Sequence, residues 1–216
     1  MADRVMRAER GGATREAIMD AAERLYAEHG MHAVSNRQIS EAADQGNSAA
    51  VTYHFGSKAD LVRAIARRHA TQMEAARLDM VTGAVGSGDL RDWVACLVRP
   101  YTGHLAALGA RTWYARFRAQ LMSDPGLQRI NTREAMESAS LRLILTGLHQ
   151  CLPDLPAGIR AERQAMAGHV IAQMCAERER ALADGSPTLH PTWDALADSL
   201  IDAVVGLWGA PVTPHP

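Results

Sequence analysis

Apolar residues recur at three- and four-residue intervals along most of the chain, the period of a helix with one buried face. Ile18, Ala22, Leu25 and Tyr26 share such a face and predict a first helix from about Thr14 to His29, which Gly30 ends. Ser35 followed by Gln38 is a capping box, in which each side chain satisfies a free N–H at a helix start, so a second helix should cover about Asn36 to Ala43. Asp44-Gln45-Gly46 has turn chemistry, and Asn47 or Ser48 can cap a third helix to about His54, with Val51 and Phe55 pointing inward. Ser57 and Asp60 repeat the cap-plus-acid signature and open a long helix that carries Leu61, Val62, Ile65 and His69 towards Met80.

The stretch TGAVGSGD, Thr82 to Asp89, then breaks the pattern. Further helices are expected over about 89–108, 111–123, 126–151, 159–183 and 192–208, separated by Gly109, Asp124-Pro125, Pro153 to Pro156, and Gly185 to Pro191. No run of alternating β-branched residues intervenes, so the fold class is all-α. The predicted organisation is a flexible, Arg-bearing arm over 1–13, a three-helix helix-turn-helix unit over 14–56, a connecting helix over 57–81, and a larger helical unit over 82–216.

The segment from Ser35 to Leu61, SNRQISEAADQGNSAAVTYHFGSKADL, carries the chemistry. Two short helices across a tight turn are the means by which a helix-turn-helix presents a reading helix to DNA. Asn47, Ser48, Ala49, Thr52 and Tyr53 fall on the outer face of the third helix. Ser48 and Thr52, one turn apart, can hydrogen-bond base edges or phosphates, while Ala49 and Ala50 are small enough to admit thymine methyls. The helix has no arginine, which argues against heavy guanine reading.

Taken in order and spacing, AAERLYAEHG, RQISEAA and YHFGSKADL resemble the tetracycline-repressor-like (TetR) family of bacterial transcription factors, over about Thr14 to Ile65. The resemblance implies a dimer with a DNA-reading head and a variable helical body that binds a small molecule. Repression is the family's common mode, although these residues do not decide between repressor and activator. Carried over by position, Arg37 and Lys58 contact the DNA backbone, and Asn36, Tyr53 and His54 also touch DNA. The chain departs from the family pattern twice. Asp44 stands where Gly is common, and Thr52 takes the place of a usual Tyr, with Tyr53 one residue later, a shift of about 100° around the helix.

Two apolar stripes lie in the body. One comprises Trp193, Leu196, Ala197, Leu200, Ile201, Val204 and Trp208, the other Met166, Val170 and Met174. Two such helices from each chain would make a four-helix homodimer interface; otherwise the stripes are the chain's own core. A dimer sets two reading helices about 34 to 36 Å apart and so predicts a palindromic operator in double-stranded DNA. Aromatics make up 5% of the chain, yet Trp93, Tyr101, His104, Trp113, Tyr114 and Phe117 cluster, and with Met122 and Met136 they are candidates to line a small-molecule pocket or to fill the core.

Composition narrows the alternatives. Lys plus Arg, 23, nearly cancels Asp plus Glu, 24, so any DNA contact comes from a local patch rather than a bulk positive field. Cys96, Cys151 and Cys175 are odd in number and form no CxxC pair, which fits reduced thiols in packing roles. There is no HExxH or GxSxG, and the Gly83, Gly86 and Gly88 loop lacks the Walker order, so no enzyme, metal or cofactor is expected. The opening residues do not resemble a secretory signal, and no apolar run approaches the roughly 20 residues that span a bilayer, so a cytoplasmic protein without membrane contact is expected. The rival to a DNA-binding regulator is a helical module that uses its stripes on another protein.

Overall fold

The computed structural model describes residues 2–47, 49–152 and 155–213, which form helices and no strand. In chain order these are α1 (Ala2–His29), α2 (Asn36–Ala42), α3 (Ala50–Phe55), α4 (Lys58–Ala84), α5 (Leu90–Leu108), α6 (Tyr114–Ser123), α7 (Pro125–Glu137), α8 (Ala139–Cys151), α9 (Ala157–Ala183) and α10 (Trp193–Gly209). Among the described residues no helix is long and apolar enough to cross a membrane.

Helices α1 to α3 and the first turns of α4 form the head around Ile18, Ala22, Tyr26, Ile39, Val51, Phe55, Leu61 and Ile65. The capping box at α2 is present: the Ser35 amide donates to Gln38 Oε1 at 2.8 Å and the Gln38 amide to Ser35 Oγ at 3.3 Å. Ser57 caps α4 by accepting from the Asp60 amide at 3.1 Å. Gly30 ends α1 at φ +85°, a left-handed conformation without penalty for glycine.

Two boundaries differ from expectation. Helix α1 starts at Ala2 instead of near Thr14, so residues 2–13 are helical and not a free arm. Most residues preceding Gly11 and Gly12 are ordinary helix formers, and each glycine costs only about 1 kcal/mol relative to alanine. The single helix expected over 126–151 is divided at Ser138, whose Oγ accepts from the Leu141 amide at 3.2 Å and starts α8. Glu74 of α4 reinforces that break, accepting from Ser138 Oγ and Ser140 Oγ, both at 2.8 Å, and from the Ser140 amide at 3.1 Å.

In the body, α10 lies mainly along α5, and α6 along α9. This overturns most of the expected dimer stripe: Trp193, Leu196, Leu200, Val204 and Trp208 are buried within the single chain. On α9, Met166 is 45% exposed, while Val170 and Met174 are half-buried. Head and body are tightly joined, because α1 packs on α6 as well as on α2 and α4.

Candidate DNA-reading surface and ligand cavity

The α2–α3 turn is closed by Asp44, whose φ of 53° makes it the sole non-glycine residue in the left-handed region among those described. Beyond it, Asn47 Oδ1 accepts from the Ala49 amide at 2.9 Å and begins α3, which has no side-chain cap of its own. Asn47, Ala49, Thr52 and Tyr53 are exposed, Tyr53 at 82%, and its ring meets His54 edge-on at 5.0 Å. His54 is half-buried, and its carbonyl accepts from Arg15 of α1 at 2.7 Å. On α2, Asn36 is half-buried, and exposed Arg37 pairs with Glu41 at 2.8 Å.

Two expected contact residues, Ala50 and Lys58, sit elsewhere. Ala50 is 8% exposed and packs into the head, because α3 turns that position inward beside Val51. Ser48 lies outside the described residues. Lys58 directs its ammonium inward: Nζ donates to the carbonyls of Met31 and Val34 in the loop after α1 and lies 5.3 Å from the centre of the Tyr26 ring. Burial pushes its pKa below the usual lysine range. Lys58 thus ties α4 to the α1–α2 loop instead of standing free for a phosphate.

The body contains a cavity of about 370 Å³ bounded by α4 to α10. Of the residues expected to line it, Tyr101, Tyr114, Met122 and Met136 do so. The others do not. Trp93 fills the α5–α8 contact, where Gly147 leaves room for its ring and Nε1 donates to the Ser87 carbonyl at 3.1 Å. Phe117 is fully buried between Tyr26 and Tyr114, with ring centres at 6.3 and 6.4 Å. His104 and Trp113 lie towards the head–body joint. There His69 Nδ1 is 2.8 Å from His104 Nε2, and Trp113 lines a second, shallower hollow with Glu16, Asp20 and Arg68.

The cavity wall also includes residues that the sequence pattern did not point to: Arg67, Arg77, Arg118, Gln128 and Thr132. For Arg77 a signal existed, since Ile65, His69, Met73, Arg77 and Val81 recur every four residues and all are buried. A charge in the apolar stripe of a long helix is costly unless it is paired, and marks a site worth attention. Arg118 follows Tyr114 at the same spacing in α6, but the shortness of that helix hid its buried face.

Polar groups at the joint connect this wall with the head. His69 Nε2 lies 2.7 Å from Glu23 Oε2 on α1, and Arg68 donates to Glu23 at 2.9 Å and to Asp20 at 2.6 Å. The His69 ring stacks on Tyr114, a cavity residue, at 3.6 Å. Burial, followed by the neighbouring His69, lowers the pKa of His104 to about 4. Among the described residues no cluster of His, Cys, Asp or Glu could hold a metal ion, and the three cysteines are free thiols. Burial pushes the Cys175 thiol up to about 12, so it is an inert packing group.

A short helix presented outward from a helix-turn-helix head, joined to a hollow helical body, defines a DNA-binding regulator. The family description "Bacterial regulatory proteins, tetR family" matches residues 18–65, and "Tetracyclin repressor-like, C-terminal domain" matches residues 95–206. The chain belongs to the tetR family of transcriptional regulators. It is 30% identical over 86 residues to the HTH-type transcriptional repressor AcnR of Corynebacterium glutamicum, and equally to that of Corynebacterium efficiens, covering 38% of this chain and 45% of each relative. The match therefore spans less than half the length of those curated relatives. A TetR family transcription regulator from Marinobacter aquaeolei VT8 has the same fold, with a TM-score of 0.57, 21% identity, and coverage of 92% of this chain and 97% of that one.

Proposed function

We propose that this regulator is a ligand-responsive repressor that binds a palindromic operator as a homodimer. The observation that carries the reading is α4. One unbroken helix of 27 residues, about 40 Å long, begins in the head at Lys58 and contributes Arg67, Ala70, Met73 and Arg77 to the cavity wall. A ligand that changes the packing around Met73 and Arg77 acts on the element that sets the position of the reading head. The Tyr114–His69–Glu23 contacts supply a second connection, from cavity to α1. A useful switch needs a differential affinity of about 1 to 3 kcal/mol between the two body conformations.

In this reading Thr52, Tyr53, Asn47 and Ala49 meet base edges, while Asn36, Arg37 and His54 hold the DNA backbone. The curated relatives bear the name of repressors, which favours repression. Dimerisation uses the outer face of α9, where Met166, Val170 and Met174 follow one another at four-residue steps. The test is selection of DNA from a random pool by purified full-length protein, followed by mobility shifts over a range of salt. A two-fold symmetric sequence, with half-sites about 10 base pairs apart centre to centre or a multiple of that, is expected. Selected DNA without symmetry sinks the dimeric-operator reading, and recovery of no DNA sinks DNA binding altogether.

A further inference from the structure

The lining of the cavity has an unusual charge balance. Among the described residues it includes Arg67, Arg77 and Arg118, but no aspartate or glutamate. Arg67 lies near the rim, where it pairs with Glu137 at 3.0 Å. Arg77 is 4% exposed, and its one ion pair among those described is with Glu74 at 3.3 Å. That carboxylate is shared, because it also accepts from Ser138 and Ser140. Arg118, half-buried, has no ion pair among the described residues; it interacts with the Tyr114 hydroxyl, and its guanidinium lies 4.6 Å from the centre of the Tyr101 ring. Arg77 and Arg118 are close enough for the charge of Arg118 to add to burial in lowering the pKa of Arg77.

Among the described residues, three buried polar atoms on this wall have no hydrogen-bond partner: Arg77 Nε, Arg118 Nε and the Tyr101 hydroxyl. Buried polar groups in native proteins are nearly always satisfied. Three such donors around one hollow, two of them cationic, therefore call for an acceptor with negative charge. Most of the remaining wall is apolar, with Met73, Leu97, Met122, Ile144, Leu148 and Ile171 among its members, beside Gln128, Thr132 and Gln164. A volume of about 370 Å³ is in the range of small-molecule sites.

We propose that the cavity binds an organic carboxylate with an apolar body, its carboxylate held between Arg77 of α4 and Arg118 of α6, with the Tyr101 hydroxyl as a further donor. Guanidinium is suited to this role, since its planar fork matches a carboxylate and stays ionised when buried. The anion replaces repulsion between two arginines with attraction from both, and so draws α4 and α6 together. As a statement about the effector, this rests on the ligand-responsive reading above.

The test is calorimetric titration of the full-length protein with decanoate and phenylbutyrate, each compared with its neutral primary amide of the same shape. The acids are expected to bind about tenfold or more tightly than the amides. Arg118→Gln should reduce acid binding by a similar factor and leave amide binding unchanged. The comparison of acid with amide on the unaltered protein decides the matter even if that variant does not fold. Equal affinity for acid and amide, no binding of either acid, or acid binding unaltered in a folded Arg118→Gln protein would each overturn the proposal. Operator release, followed in parallel, separates the two readings. Acid binding with operator affinity unchanged leaves the anion site standing and removes ligand control, whereas equal release by acids and amides does the reverse.

Discussion

Lys58 illustrates how a motif position and a side-chain role can part company. Its place in YHFGSKADL marks it as a phosphate contact, yet its ammonium satisfies the carbonyls of Met31 and Val34. Lys58→Met keeps the aliphatic stem but leaves two carbonyls without their donor, so unfolding free energy measured by urea denaturation should fall by about 1 to 2 kcal/mol. The salt dependence of operator binding should keep its slope. A slope shallower by about one unit would restore Lys58 to the DNA backbone. Asp44 is the complementary case. Its left-handed φ of 53° is a conformation that suits glycine, which explains physically why glycine is common there, while the short polar side chain of aspartate tolerates it better than most.

At the scale of elements, the α5–α8 contact depends on a glycine. A Cβ at Gly147 would overlap the Trp93 ring, whereas a Cβ at Gly103 on the exposed side of α5 meets nothing. Gly147→Ala should therefore destabilise by about 1 to 3 kcal/mol despite the better helix propensity of alanine. Gly103→Ala should stabilise by about 0.5 to 1 kcal/mol. Thermal unfolding of the two variants decides this, and similar shifts for both would mean that Trp93 does not press on α8. Such packing also explains why Trp93 does not line the cavity. Its ring is large and apolar, as a pocket residue's often is, but it fits a groove between helices.

Over the whole molecule, the joint between head and body is sensitive to acid. His104 on α5 faces His69 on α4, Tyr114 on α6 and, beyond His69, Glu23 on α1. Its folded-state pKa of about 4 is below the roughly 6.5 of a free histidine, so between these values the unfolded chain binds more protons than the native one. Stability is then complete above about pH 6.5 and falls as pH drops towards 4. Discounted for partial solvent access, the loss is about 1 to 2 kcal/mol. Urea midpoints near pH 7 and pH 5 measure it, and His104→Leu should flatten the difference. An equal acid loss in that variant would place the sensitivity in other groups.

What the amino-acid sequence determined by itself was local. The capping box at Ser35, the turn at Asp44, the cap at Ser57 and the four-residue recurrences depend on neighbours a few positions apart, and all of them are present in the fold. Even Ser138 is a local cap, although a helix boundary inside a continuous periodic run is hard to see without Glu74 opposite it. Other questions needed the tertiary structure. An apolar stripe records that a face is buried, not against what, so Leu196, Leu200 and Val204 read the same whether they meet α5 or a second chain. Likewise, Arg77 and Arg118 are 41 positions apart in sequence, and only the arrangement of α4 and α6 around one cavity brings the two guanidinium groups to the same wall, because burial and Coulomb energy depend on distance in space.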